Sequence, residues 1–157
     1  MSLSPQTVRG EVTIRHLSKS FTLNGKPLPV LSDINLQIRS GESLAIVGAS
    51  GSGKTTLLRI LAGLDNADGG EVLIDGKAVS GMGAERAVIF QEPRLLPWLT
   101  VLENVAFGLD TRGVGREEAR SRARRYVQLV GLQSVENAYP RQLSCGMAQP
   151  VGIARAL

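Results

Sequence analysis

One eight-residue stretch, Gly48-Ala-Ser-Gly-Ser-Gly53-Lys54-Thr55, constrains this chain more than any other feature of it. It fits the phosphate-loop pattern of Gly, four residues, Gly, Lys and then Ser or Thr. Glycines let the main chain double back so that several N–H groups point inward, and a following helix adds the favourable end of its dipole. Lys54 supplies a positive charge for the β- and γ-phosphates of a nucleotide, and the Thr55 hydroxyl is a ligand for Mg²⁺. The flanks agree. The apolar run Ser43-Leu-Ala-Ile-Val47 predicts a strand buried on both faces, and Thr56-Leu-Leu-Arg-Ile-Leu-Ala62 predicts a helix. Nucleotide binding through this loop follows. GTPase, kinase and ATPase chemistry all stay open.

Composition narrows the setting. At 157 residues, 43% apolar and 20% charged, the chain is long enough for one globular domain and too apolar for disorder. No apolar run reaches the roughly 18 residues that cross a bilayer. Met1 to Gly10 lacks the apolar stretch of a secretory signal. Cys145 is the single cysteine, so no intrachain disulfide can form, which suits a reducing, cytosolic setting. Fourteen Arg and four Lys against 14 acidic residues leave a net charge of +4. Such an excess suits nucleic acid, an anionic membrane surface or a solvated arginine-rich face, and decides nothing alone.

The chain reads as a strand-rich first half and a helical second half. Glu11-Val-Thr-Ile14 and Leu36-Gln-Ile38 predict strands, with a turn at Asn24-Gly25 and prolines at 27 and 29 that discourage helix. Glu71-Val-Leu-Ile74 predicts a strand ending in the tight turn Asp75-Gly76, and Ala87-Val-Ile-Phe90 a further short strand. Thr100-Val-Leu-Glu103 has the spacing of a capping box, so a helix should begin near Val101. From Arg116 to Val130, residues Ala119, Ala123, Tyr126, Val127 and Val130 share one helical face, and Gly131 is a natural stop. The arginines at 112, 116, 120, 122, 124 and 125 predict a solvated face with Glu117 and Glu118 as local partners. His16 has no second ligand at metal-binding spacing.

Two later stretches bring a family into view. Val88-Ile-Phe-Gln91-Glu-Pro93 resembles the glutamine loop of ABC-type ATPases, and Leu143-Ser-Cys-Gly-Met147 resembles their signature sequence. Val151-Gly-Ile-Ala-Arg-Ala-Leu157 resembles the helix that follows that signature. The segment from Phe90 through Leu-Leu-Pro-Trp98 to Leu109 is similar to the ATP-binding subunits of importers for aliphatic sulfonates, taurine and nitrate, the sulfonate members above all. The resemblance runs from Val12 to Leu157.

That resemblance implies an α/β fold: a P-loop core with an incomplete sheet and an N-terminal antiparallel β region over about 1–91, a helical subdomain over about 92–144 and a signature helix over 144–157. It implies ATP and Mg²⁺ as ligands. Gly48, Ala49, Ser50, Gly51, Ser52, Gly53, Lys54, Thr55 and Thr56 would hold the phosphates, with Thr55 and Gln91 at the metal. Gln91 would also sense the γ-phosphate and the attacking water; its bland reading is a polar cap on a strand end. Phe21 is either the aromatic that stacks on adenine or a core residue at a strand end. Ser144, Cys145, Gly146 and Met147 would face the ATP of a second subunit in a homodimer, or Ser144 is simply a helix cap. Residues 92–109 would grip an integral-membrane permease subunit through Trp98, Leu95 and Leu96, unless these belong to the core. A periplasmic or lipid-anchored substrate-binding protein would act indirectly, no nucleic acid is expected, and the location would be the inner face of a bacterial membrane.

Three departures qualify the match. The Walker B Asp and Glu and the switch His of the family are absent, so the chain is expected to be a C-terminally truncated fragment that has lost hydrolysis. Cys145 stands where the family has the first Gly of a pair. Pro150 falls about six residues into the signature helix, where it should bend or break it. A non-catalytic nucleotide-binding module or a degraded gene product is the alternative reading, and a DNA-associated ABC-type ATPase a third, which the Leu-Pro-Trp stretch opposes.

Overall fold

The computed structural model describes residues 9–83, 85–111 and 113–157; Arg112 of the arginine series and residues 1–8 lie outside them. The chain divides into two compact units, 1–86 and 87–157.

Unit one is a four-stranded sheet with a helix. Strand β1 (Val12–Leu23) pairs antiparallel with β2 (Lys26–Ile38), both longer than the short alternating patterns at 11–14 and 36–38 suggest. Asn24 and Gly25 connect them with φ of 51° and 74°, the doubly left-handed geometry of a tight hairpin turn. β3 (Gly69–Ile74) lies on the other side of β1 and pairs with β4 (Lys77–Ala78) through the turn at Asp75-Gly76. The order β2-β1-β3-β4 leaves β2 at an edge, where Pro27 and Pro29 need not donate to a neighbour. Helix α1 (Lys54–Leu61) buries Leu57 and Ile60 with Ile14, Leu17, Leu31 and Val72 of the sheet. Each such side chain taken from water contributes about 1.5–3 kcal/mol.

The two strands expected beside the phosphate loop do not form. Ser43–Val47 and Ala87–Phe90 carry no strand pairing. Val47 is 92% exposed, and Leu44, Ile46, Val88 and Ile89 are exposed as well. Apolar content does not make a strand by itself; a ladder of hydrogen bonds and two covered faces do. Among the described residues the sheet is the antiparallel one, which offers 43–47 no ladder, and unit two holds no strand at all.

Unit two packs helices α2 (Val101–Asp110), α3 (Arg116–Leu129) and α4 (Cys145–Ala156) around Val101, Leu102, Val105, Ala119, Ala123, Val127, Val151 and Ala154. The capping box is realised: Thr100 Oγ1 accepts from the Glu103 N–H at 3.3 Å, and the Thr100 N–H donates to Glu103 Oε2 at 3.0 Å. The predicted face of α3 is the buried one, with Tyr126 and Val130 at its margin. Gly131, at φ 74°, ends it by paired bonds from the Gly131 N–H to Gln128 O and from the Leu132 N–H to Val127 O. Of the local partners expected, Glu118 pairs with Arg122, whereas half-buried Arg120 and exposed Arg124 reach out of the helix to Glu103 at 3.2 Å and Glu136 at 3.3 Å.

Pro150 does not break its helix. α4 runs unbroken from Cys145 to Ala156 with the proline inside. The lost bond is the one to the carbonyl of Gly146, in an exposed first turn where water can replace it. Packing of Val151 and Ala154, both fully buried, holds the rest of the helix in place.

Candidate functional site

The loop before α1 is built around Lys54. Its Nζ donates to the carbonyls of Gly48 and Ala49, both at 2.7 Å, and to Ser52 Oγ at 3.2 Å, so all three ammonium donors close on the loop's own oxygens. The Ser52 N–H donates to Ala49 O at 3.2 Å and tightens the same turn. Gly51 and Gly53 sit at φ 83° and 87°, where L side chains are strained. At Gly53 the reason is twofold, because a Cβ there would also lie 2.9 Å from both Val30 O and Leu31 Cδ2. A Cβ at Gly48 would meet Ser52 Oγ at 2.9 Å. Gly48, Ala49, Ser50, Gly51, Ser52 and Thr55 are exposed, and Gly53, Lys54 and Thr56 half-buried. The result is a tight, solvent-facing loop ending in a helix start, with no acidic residue in that helix's first turn. Such a loop suits an anion.

Phe21 is not a core residue. It lies on β1 opposite Leu28 and is 43% exposed, with the Lys19 ammonium 5.4 Å from its ring centroid.

In unit two, Ser144 caps α4 in extended geometry, but its hydroxyl makes no capping bond. Ser144, Cys145, Gly146 and Met147 are all exposed, and a Cβ at Gly146 would meet nothing within 4 Å. Gln91 is exposed, and the chain on either side of it is tied to α4. Gln149 Nε2 donates to Phe90 O at 3.3 Å, and Arg155 donates from Nη2 to Pro93 O at 2.8 Å and from Nη1 to Arg94 O at 2.9 Å. Burial pushes the Arg155 guanidinium below its ordinary value while leaving it a cation. The Gln91 segment and the Ser144–Met147 helix start thus belong to one mechanical piece.

Trp98 is 69% exposed, which removes the core reading for it, whereas Leu95 packs against the helical core. Asn104 explains the arrangement and was not singled out by sequence reasoning. It is fully buried on α2, accepts from the Leu96 N–H at 2.8 Å and donates toward the carbonyls of Leu96, Leu99 and Thr100 at 3.0–3.1 Å. One amide therefore shapes the turn that presents Trp98. The available signal was a polar residue on the apolar face of α2, between Leu102 and Val105. Gln149 and Arg155 were also missed, because nothing local marks a helix residue that bonds some sixty positions back.

His16, exposed at φ 50°, holds Asp33 through Nδ1 at 2.7 Å and keeps that carboxyl below its ordinary value. No helix among the described residues is long and apolar enough to cross a membrane.

A protein-family model described as ABC transporter matches residues 31–157. The taurine import ATP-binding protein TauB of Pseudomonas aeruginosa PAO1 is 48% identical over 93% of this chain and 56% of its own length. The nitrate import ATP-binding protein NrtD of Synechocystis is 46% identical over 92% of the chain and 54% of itself. The aliphatic sulfonates import ATP-binding protein SsuB of Bacillus cereus is 42% identical over 93% and 57%. The chain therefore spans about half the length of the relatives it matches. Among solved structures, a dimeric ATP-binding cassette bound to ADP and Pi superposes with a TM-score of 0.82 at 35% identity, over 93% of this chain and 68% of that one. The α/β cassette fold is shared.

Proposed function

Because the chain belongs to the ABC transporter family, we propose that it is the nucleotide-binding part of an energy-coupling subunit of an importer for small oxyanions. The single observation that carries the nucleotide reading is the Lys54 ammonium closed on Gly48 O, Ala49 O and Ser52 Oγ. Those three acceptors mark a pocket rim that a triphosphate can take over, exchanging neutral oxygens for charged ones and gaining stronger hydrogen bonds. The glycines leave little side chain in the way, and the exposed Thr55 hydroxyl is the group offered to Mg²⁺.

Other roles follow from the same reading. Phe21 offers an aromatic face to the base. Ser144 and the N–H groups of Cys145 and Gly146 face the nucleotide of a second copy of the subunit, with Met147, whose N–H donates to Ser144 O at 2.9 Å, completing the turn. Trp98, raised by Asn104, contacts an integral-membrane permease subunit, which places the protein on the cytoplasmic face of a membrane. The names of the relatives support taurine, other aliphatic sulfonates or nitrate as the class of cargo. MgATP supplies the phosphoanhydride energy; this chain's residues bind it, orient it and present it to the partner.

The test is a titration with a fluorescent ATP analogue, comparing the parent with Lys54→Ala. Removing a charge-assisted contact of this kind weakens binding by about 1.5–3 kcal/mol. Equal affinities in two equally folded samples would sink the assignment.

A further inference from the structure

A polar cluster on the sheet lies outside the phosphate loop and outside every role assigned above. Lys19 on β1 keeps only 12% of its side chain exposed, yet it is a cation. Its Nζ lies 3.1 Å from Asp68 Oδ1 and 3.5 Å from Asp65 Oδ1. Asp68 is itself fixed, accepting from the Ser20 N–H at 2.7 Å while its own N–H donates to Ser18 O at 2.9 Å. The Ser20 bond, with the Lys19 contact second, holds the Asp68 carboxyl below its ordinary value. Two carboxylates from the segment between α1 and β3 thus grip one ammonium on β1.

That ammonium has a second neighbour. Lys19 and Phe21 are two residues apart on one strand and so project from the same face of the sheet. Lys19 Nζ sits 5.4 Å from the Phe21 ring centroid, within the range of a cation–π contact. A surface phenylalanine on a strand turns freely among rotamers; this one rests against a charge that cannot leave. The same strand pair, across a register shift between Lys19 and Ser20, reaches the phosphate loop. Lys19 is the cross-strand partner of Leu31, and Leu31 with Val30 is the surface against which Gly53 closes.

We propose that Lys19, clamped by Asp65 and Asp68, is a positioning residue that fixes the Phe21 ring as a platform for the base of the nucleotide held at residues 48–55. The inference rests on the reading that the base lies on Phe21. The clamp orders the ring before the ligand arrives, so the nucleotide does not lose affinity to that ordering. It also ties ring and phosphate loop to one strand pair, which sets the spacing between base and phosphates.

Two probes separate base from phosphate: ATP, and inorganic tripolyphosphate, each competed against a fluorescent ATP analogue on the full chain. Lys19→Met should weaken ATP by about 3- to 10-fold and leave tripolyphosphate unchanged within about 1.5-fold. Lys19→Arg, which keeps the cation, should recover most of the loss. Lys19→Met combined with Phe21→Ala should bind ATP no more weakly than Phe21→Ala alone, since the lysine acts through the ring. Equal weakening of ATP and tripolyphosphate by Lys19→Met overturns the proposal in favour of a scaffold role, as does full additivity in the double variant. Phe21→Ala without effect on ATP overturns the underlying base-on-Phe21 reading instead, while loss of both probes in Lys54→Ala remains the separate test of the phosphate loop.

Discussion

Helices α1 and α4 each carry a glycine at the start, Gly53 as the cap of α1 and Gly146 in the first turn of α4, yet they are held in opposite ways. The start of α1 is a closed device: Lys54 satisfies two loop carbonyls and a serine hydroxyl, and Gly53 is pressed onto Val30 and Leu31. The start of α4 is open. Its cap serine makes no side-chain bond, its first three residues are exposed, and Gly146 has empty space around it. A site that must grip a ligand within its own chain benefits from a preorganised loop. The role proposed for α4, meeting a nucleotide carried by a second copy, calls instead for an exposed start. The contrast also shows why a side chain such as Cys145 is sterically tolerated at α4, whereas any side chain at Gly53 is not.

The same substitution should have opposite signs at the two helix starts, and this is the largest effect expected. Gly53→Ala forces an L residue to φ 87° against a backbone oxygen and should destabilise the fold by about 2–4 kcal/mol. Gly146→Ala, inside α4 with open space around it, should stabilise by about 0.5–1 kcal/mol. Urea denaturation of both variants checks this, and like signs would erase the distinction.

Pro150→Arg comes next. Restoring the missing N–H should stabilise the chain by about 1–3 kcal/mol, at the low end because α4 already runs through the proline. A midpoint equal to or below that of the parent would mean that the proline is accommodated at no cost.

Capping residues sharpen the comparison further. Thr100 caps α2 with a reciprocal bond to Glu103, and Thr100→Ala should cost about 1 kcal/mol. Ser144→Ala, which removes no capping bond, should change stability by less than about 0.5 kcal/mol while weakening any nucleotide-dependent dimer seen by light scattering. A Ser144 effect as large as that of Thr100 would return it to a purely structural role.

The smallest effect is in pH. The Thr100 N–H, and then Arg120 and Arg116, hold the Glu103 carboxyl below its ordinary value. A depressed folded pKa means a contribution that is complete above the unfolded value, about pH 4.3, and is lost as pH falls through the folded one. Thermal midpoints of Glu103→Gln should therefore lie below the parent at neutral pH and converge with it in acid. A constant gap down to pH 2 would show that the capping geometry, not the charge, is what matters.

The glycine pattern and the lysine were sufficient to predict the tight loop before α1, because the Lys54 bonds that close it reach no further than Gly48, six positions back. The Thr100–Glu103 box, the face of α3 and the turns at Asn24-Gly25 and Asp75-Gly76 were legible for the same reason: each is a local balance of backbone geometry and nearest side chains. What tertiary structure decided was everything that needs a distant partner. Whether Ser43–Val47 and Ala87–Phe90 become strands depends on a neighbouring ladder, which no apolar run encodes by itself. Whether Pro150 breaks α4 depends on how firmly Val151 and Ala154 are buried. Asn104 against Leu96, Arg155 against Pro93 and Arg94, and Lys19 between Asp65, Asp68 and Phe21 are contacts that exist only once the chain has brought separate segments together.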